Sequence, residues 1–244
     1  MKNITLKERA RAVAKYFKGK LPESFIRLIF SYLYNKDFFK LKSSAEVFTD
    51  IYHKNLWNSP ESKSGRGSTL EATLSIREQL PKIIEEYSIS TMLDVPCGDY
   101  NWMKEVKKDC NYLGGDIVAE VVKKNQQLYS TQTVQFRQID ITTDTLPKVD
   151  LIFCRDCLQH LSYDKVKDAL NNFKRSGSTY LLVSSYPKTW RNHDIYNGDY
   201  RALNLLIKPF YLSRFILKIK EESKTVGNEV DKTMYLYDLQ SIGN

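Results

Sequence analysis

The chain has 244 residues, enough for one large α/β domain or two small ones. Its 42% apolar content includes no run near the roughly 18 to 20 residues of a membrane span. The charged start lacks the apolar core of a secretory signal, and four cysteines are too few for a disulfide scaffold. A cytoplasmic location is expected, with the inner face of the membrane as a variant of it. The net charge of +8 is uneven: residues 1–42 carry eleven Lys/Arg against three Asp/Glu, and the other 202 residues carry 26 of each. A body without basic excess argues against a wide phosphate track, so no nucleic-acid partner is expected.

Residues 5–18 and 22–40 read as two helices separated by Gly19 and Leu21-Pro22, with proline suited to a first helical turn. The second is apolar over much of its circumference. Packing on the main domain is the plain reading; a peripheral membrane contact through residues 1–42 and dimerisation are the others. A helical stretch, "AEVFTDIYHKNLW", precedes the polar link "NSPESKSGRGST". Gly65 and Gly67 let the backbone approach a ligand closely, so residues 62–69 are expected to form a lid, with Tyr52 and Trp57 closing the same side. A solvated linker is the alternative. A helix follows over 69–87, with Ser68 or Thr69 as N-cap. The expected organisation is a basic arm, cap and lid over 1–68 and a ligand-binding domain over 69–244.

From residue 91 the period changes. Short apolar runs recur at 91–95, 112–116, 134–139, 149–154 and 179–185, separated by longer helical or mixed segments. That alternation predicts βαβ units and a mostly parallel sheet. "MYLYDL", 234–239, reads as a final strand, antiparallel at the edge.

Asp94, Asp116 and Asp140 are expected at the ends of three consecutive strands, where open α/β sheets bind ligands. The second acid follows the first by 22 positions, near the spacing at which an acid meets a ribose diol. Yet "MLDVPCGDYNWM", 92–103, has one glycine, Gly98, where a dinucleotide fingerprint needs three. A ligand with adenosine but no pyrophosphate meets both conditions. S-adenosylmethionine is such a ligand, and Asp94 is placed to serve its ammonium directly or through water.

Over roughly residues 45–240 the chain resembles the class I S-adenosylmethionine-dependent methyltransferases. The family's first motif matches Asp94-Val95-Pro96-Cys97-Gly98-Asp99, with Pro96 and Tyr100 where flanking glycines stand in the family. Its ribose acid falls on Asp116 and its adenine-side acid on Asp140, beside Ile141. Its fourth motif falls on "DLIFCRDCLQHLS", 150–162. The variant D-x-P-C-G-D-x-x-W-M, preceded by F-x-x-I-Y and S-G-x-G-S, resembles a bacterial subgroup associated with capsule and other surface-glycan biosynthesis. The resemblance implies a Rossmann-like fold: a mostly parallel seven-stranded sheet with an antiparallel edge strand and an N-terminal helical cap. It implies S-adenosylmethionine held by Trp57, Gly65, Gly67, Ser68, Asp94, Pro96, Cys97, Gly98, Asp116, Ile117, Asp140, Ile141 and Arg155. It also implies O-methylation of a saccharide or phosphorylated sugar acceptor. RNA or protein methylation and a non-catalytic adenosine-binding scaffold are the alternatives; the N/D-P-P-[YF] sequence of planar-nitrogen methylation is absent after the fourth strand.

For an alcohol acceptor, a base assists proton removal. The candidates are His193, His160 and Asp156. Arg155, Arg191 and Arg201 are candidates for an anionic acceptor group, and Tyr186, Trp190, Tyr196 and Tyr200 for the face of a sugar ring. His53 reads as surface or cap packing. Cys154-x-x-Cys157 invites a metal reading, but no second pair follows at zinc spacing. The side chains are expected to diverge, with no metal bound.

Overall fold

A computed structural model describes residues 42–221 and 231–242. The helices expected in 5–18 and 22–40, with any membrane contact through them, lie outside the described residues. A compact unit spans Ser44–Asn244, so residues 44–68, which the sequence groups with the arm, fold within the same unit as the sheet. The elements run α1 (Ser44–His53), α2 (Leu74–Glu86), β1 (Thr91–Asp94), β2 (Asn111–Asp116), α3 (Ala119–Tyr129) and β3 (Val134–Gln138). They continue with β4 (Leu151–Cys154), α4 (Tyr163–Arg175), β5 (Tyr180–Ser185), β6 (Leu217–Lys220) and β7 (Thr233–Asp238).

The seven strands form one sheet in the order β3-β2-β1-β4-β5-β7-β6. β1 to β5 pair in parallel, and β7 runs antiparallel to both β5 and β6. The antiparallel strand expected near the edge is thus β7, with β6 outside it. β6 escapes the sequence reading because "LKIK" buries only Ile219. Both faces of the central strands are apolar, as a sheet covered by helices on both sides requires. Met92, Leu151, Phe153 and Leu182 face one layer with Ile76, Leu80, Ile83 and Ile84 of α2. Their neighbours Leu93, Ile152, Leu181 and Val183 face the other, with Val166, Ala169 and Phe173 of α4.

The helix predicted over 69–87 begins later, at Leu74. Thr69 caps an earlier turn instead: its Oγ1 accepts from Ala72 N (3.2 Å), and its carbonyl accepts from Thr73 Oγ1 (2.8 Å). At the far end of the sheet Asp150 joins two strands. Its Oδ2 accepts from Ser90 N, Thr91 N and Thr91 Oγ1 at 2.8 to 2.9 Å. Asp150→Ala strands these donors and should lower unfolding stability by about 1 to 3 kcal/mol. A lower denaturant midpoint at unchanged slope checks this.

Candidate active site

β1 lies between β2 and β4, where the chain's crossovers change direction and leave a crevice beyond the strand ends. The turn after β1 stays close to β2. Cys97 N donates to Gly115 O (2.8 Å), and Gly98 N donates to Asp116 Oδ2 (3.1 Å). Gly98 has φ +54, and a Cβ there would lie 2.3 Å from Ser64 Oγ, so the position admits only glycine. Tyr100, where the family has a glycine, also takes a positive φ of 58. Its ring is buried against Tyr112, Tyr129 and Phe136, and this packing offsets the backbone strain.

Asp116 is buried, and its Oδ1 accepts from Val118 N (2.9 Å). Burial raises its pKa to about 6 against the opposing backbone donors of Val118 and Gly98. With Ile117 also donating, backbone amides fill part of the roughly four acceptor positions of a carboxylate, which leaves capacity for a ribose hydroxyl. Asp94 is also buried; Tyr112 donates its hydroxyl to Oδ2 (2.6 Å), and burial raises the pKa to about 7. The three acids are staggered along the sheet: Asp94 pairs with Gly114, Asp116 pairs with Gln138, and Asp140 lies beyond β3. One oxygen of Asp140 is committed to a turn, accepting from Thr142 N (2.8 Å) and Thr142 Oγ1 (2.7 Å). Ile117 is half-buried beside α1, against Tyr52, Val118 and Val121. Ile141 is buried in the sheet core.

The link upstream of α2 folds over this turn. Ser62 Oγ donates to the Asp99 carboxylate (2.9 Å), as do Lys63 N (2.9 Å) and Ser64 Oγ (3.2 Å). Asp99 N donates back to Ser64 Oγ (2.9 Å), and Asn101 Nδ2 reaches Ser68 O (3.1 Å). Trp57 stands against Gly65 and faces the His160 ring at 5.4 Å. Ser64 is thereby brought against Gly98 and Ser68 against Asn101, while Gly65 lies against Trp57 and Gly67 against Arg155 and Asp156. The sequence reading did not use Asp99 as the anchor, although it stands next to Gly98 in the motif.

Past β4 the geometry corrects several expectations. Arg155, expected at the cofactor or an anionic acceptor, is buried. Its Nε and Nη2 donate to Glu221 (2.9 and 2.6 Å), its Nη1 to Gly67 O (2.9 Å), and its guanidinium lies over Trp102. Asp156, considered as a base, is held well below the usual carboxylate range. Burial opposes its ionisation, but Lys232 (2.7 Å) and Arg155 (3.1 Å) outweigh that. It accepts further from Gln159 Nε2 (2.9 Å) and the Tyr186 hydroxyl (3.5 Å), so it orients neighbours and has no affinity for a proton near neutrality. Tyr186, expected to offer a ring face, is 3% exposed. Arg201, expected at the acceptor, is 2% exposed, with Nη1 donating to Leu161 O (2.6 Å) and its guanidinium over Tyr163. Glu221 and Lys232 gave no signal in the sequence, because 66 and 76 positions separate them from their partners. The Cys154 and Cys157 side chains meet instead of diverging; that contact first, and then burial, push the Cys154 thiol well up.

The two histidine candidates separate clearly. His193 is exposed on a loop whose neighbour Asp194 accepts from Tyr163 N (2.7 Å) at the start of α4. The loop docks there because Asn197 Oδ1 accepts from Ser162 N (2.9 Å) and Gly198 N donates to His160 O (2.8 Å). His193 itself stays exposed on this loop and is not one of the residues that dock it, which does not support its expected role as base. His160 sits in the short turn after β4, between Trp57 (5.4 Å) and Tyr200 (5.6 Å). Its Nδ1 meets Asp199 O at 2.8 Å. A carbonyl only accepts, so Nδ1 carries the proton and Nε2 is the basic nitrogen. Burial lowers its pKa, against the Asp199 carbonyl and the Asp156 charge. Arg191 and Tyr196 are exposed on the loop after β5.

This sheet order and crevice define the class I methyltransferase architecture. Residues 93–176 match a family model described as a methyltransferase domain. Among solved structures, the N-methyltransferase NodS of Bradyrhizobium japonicum WM9, bound to S-adenosylhomocysteine, aligns with TM-score 0.58 and 10% identity. That alignment covers 78% of this chain and 97% of NodS. The 1,6-didemethyltoxoflavin-N1-methyltransferase of Burkholderia thailandensis aligns with TM-score 0.57 and 12% identity, over 79% of this chain and 85% of that one. The magnesium protoporphyrin IX methyltransferase of Synechocystis PCC 6803, with bound S-adenosylmethionine, gives 0.51 and 12%, over 81% and 97%. No curated protein matched the chain. Together these findings support a methyltransferase with S-adenosylmethionine as cofactor, and the strand ends fit it: a buried acid at the end of β2 and a turn with one glycine in place of a three-glycine phosphate cradle.

Two outcomes follow from the acids. Asp116→Ala should weaken S-adenosylhomocysteine binding by about 1.5 to 3 kcal/mol in calorimetry, the range of hydrogen bonds to charged groups. Asp94 has a folded pKa above its unfolded value, so its contribution to stability is present at low pH and is lost as pH rises toward about 7. Asp94→Asn should therefore flatten the fall in stability between roughly pH 4 and 7, measured by denaturant unfolding across that range.

Proposed function

We propose that the chain is an S-adenosylmethionine-dependent O-methyltransferase acting on a saccharide or related small acceptor of surface-glycan precursors, with His160 as the base. The observation that supports this reading is the Nδ1 contact of His160 to Asp199 O (2.8 Å), which leaves Nε2 as the basic nitrogen of a ring set between Trp57 and Tyr200. S-adenosylmethionine supplies a methyl group on a sulfonium that is already electrophilic, so the protein's task is to align the acceptor and take its proton. His160 accepts the hydroxyl proton at Nε2, and the ionised Asp156 nearby stabilises the resulting imidazolium. Trp57 and Tyr200 flank the imidazole and hold the acceptor oxygen's approach to a narrow direction. Residues 62–69 act as the lid that excludes water from the donor.

Support for a sugar acceptor comes from the loop after β5, where Trp190 is 85% exposed and Tyr196 and Tyr200 are 42% and 43% exposed. Such rings suit the apolar face of a pyranose. Arg191 on the same loop is placed for a phosphate or carboxylate of the acceptor.

The test is methyl transfer from S-adenosylmethionine to a mixed saccharide acceptor pool. His160→Gln should lower kcat by about 100- to 10,000-fold with S-adenosylhomocysteine affinity unchanged. Burial places the acid limb of the wild-type profile below the ordinary histidine value of about 6.5. His193→Ala should remain near wild type. A fully active His160→Gln would contradict the assignment, and a small loss confined to KM would point to an amine acceptor aligned without a base.

A further inference from the structure

We propose that Glu221 and Lys232, which no part of the methyltransferase reading requires, are positioning residues that keep residues 62–69 seated over the cofactor site. The proposal rests on the lid reading above. Four charged side chains form one nearly buried cluster: Arg155, Asp156, Glu221 and Lys232. Glu221 follows β6 and Lys232 precedes β7, and Glu221 N donates to Lys232 O (2.9 Å), so the two are fixed side by side at the root of the hairpin. Glu221 grips Arg155 through Nε (2.9 Å) and Nη2 (2.6 Å). Such a two-point grip fixes the plane of the guanidinium and aims the remaining nitrogen. That nitrogen, Nη1, donates to Gly67 O (2.9 Å).

Lys232 acts on the same strap from the other side. Its Nζ lies 2.7 Å from Asp156 Oδ2 and 3.6 Å from Glu221 Oε2. Asp156 Oδ2 in turn lies 2.7 Å from where a Cβ on residue 67 would stand. Gly67 is thus held by its carbonyl and confined by a carboxylate whose position Lys232 sets. Two cations and two anions balance the cluster. Apolar residues of similar volume commonly stabilise a fold at least as well as a buried ion cluster, so folding alone does not require these four. What they add is a direct polar link from the β6–β7 hairpin to the strap, and through Asp99 to the turn that faces the donor.

Hydrogen exchange and calorimetry with S-adenosylhomocysteine test this without a known acceptor. In the wild type, amides in 62–69 should gain protection on binding. Glu221→Gln and Lys232→Met should abolish most of that gain and weaken binding by about tenfold or more, while amides of β1 and β4 keep their protection. Lys232→Arg, which preserves the charge, should restore both readouts. Gly67→Ala, whose Cβ would press on Asp156 Oδ2 while leaving all four charges in place, should lose the same protection, which keeps the test decisive if a charge variant fails to fold. Unchanged protection and affinity in Glu221→Gln, Lys232→Met and Gly67→Ala would overturn the proposal. No protection of 62–69 in the wild type would overturn the lid reading itself.

Discussion

The turn after β1 is the constraint on which the rest of the site depends. It has neighbours on both sides and no room for a side chain at its centre. From β2, Asp116 takes the amide of Gly98; from the upstream link, Ser64 occupies the space that a Cβ of residue 98 would need. Asp99 then gathers two serine hydroxyls and a lysine amide. The polar link has one short 3-10 turn, Arg66–Ser68, as its regular structure, and these charge-assisted bonds hold it to the sheet. A single glycine therefore does the work that three do in a dinucleotide site, because no pyrophosphate has to be accommodated.

Charge is distributed by the same economy. Asp156, Arg155, Glu221 and Lys232 neutralise one another beside Gly67. No net cation is left there to repel a sulfonium, and Asp156 is not left free to compete for protons. Proton transfer falls in the proposed mechanism to His160, whose tautomer is set by a backbone carbonyl. Burial keeps that imidazole neutral at rest, as a base must be, and the nearby Asp156 supports the charge that it acquires. Acid and base roles are thus separated by environment rather than by residue type.

The sheet and the turn that carries the first motif were legible in the sequence because their signals are local. Strand runs between 91 and 185 alternate with helices, and Asp94, Gly98 and Asp116 sit at spacings with a physical reading. The errors concern long-range partners. Arg155 looks like an anion receptor in a linear sequence, since nothing there shows that Glu221 claims it. His193 attracts attention as one of three histidines in a polar loop; the docking of Asp194 and Asn197 on the start of α4, which leaves it exposed, depends on tertiary contacts. β6 was missed because an edge strand with one buried residue has almost no apolar pattern.

A crystal structure of the protein with S-adenosylhomocysteine tests the central claim most directly, namely that the donor lies between the turn after β1 and the link over it. The account predicts a ribose hydroxyl within hydrogen-bond distance of the Asp116 carboxylate, and the sulfur facing the opening between Trp57, His160 and Tyr200. Adenosine bound elsewhere, or a ribose out of reach of Asp116 with the sulfur turned away from His160, would contradict it.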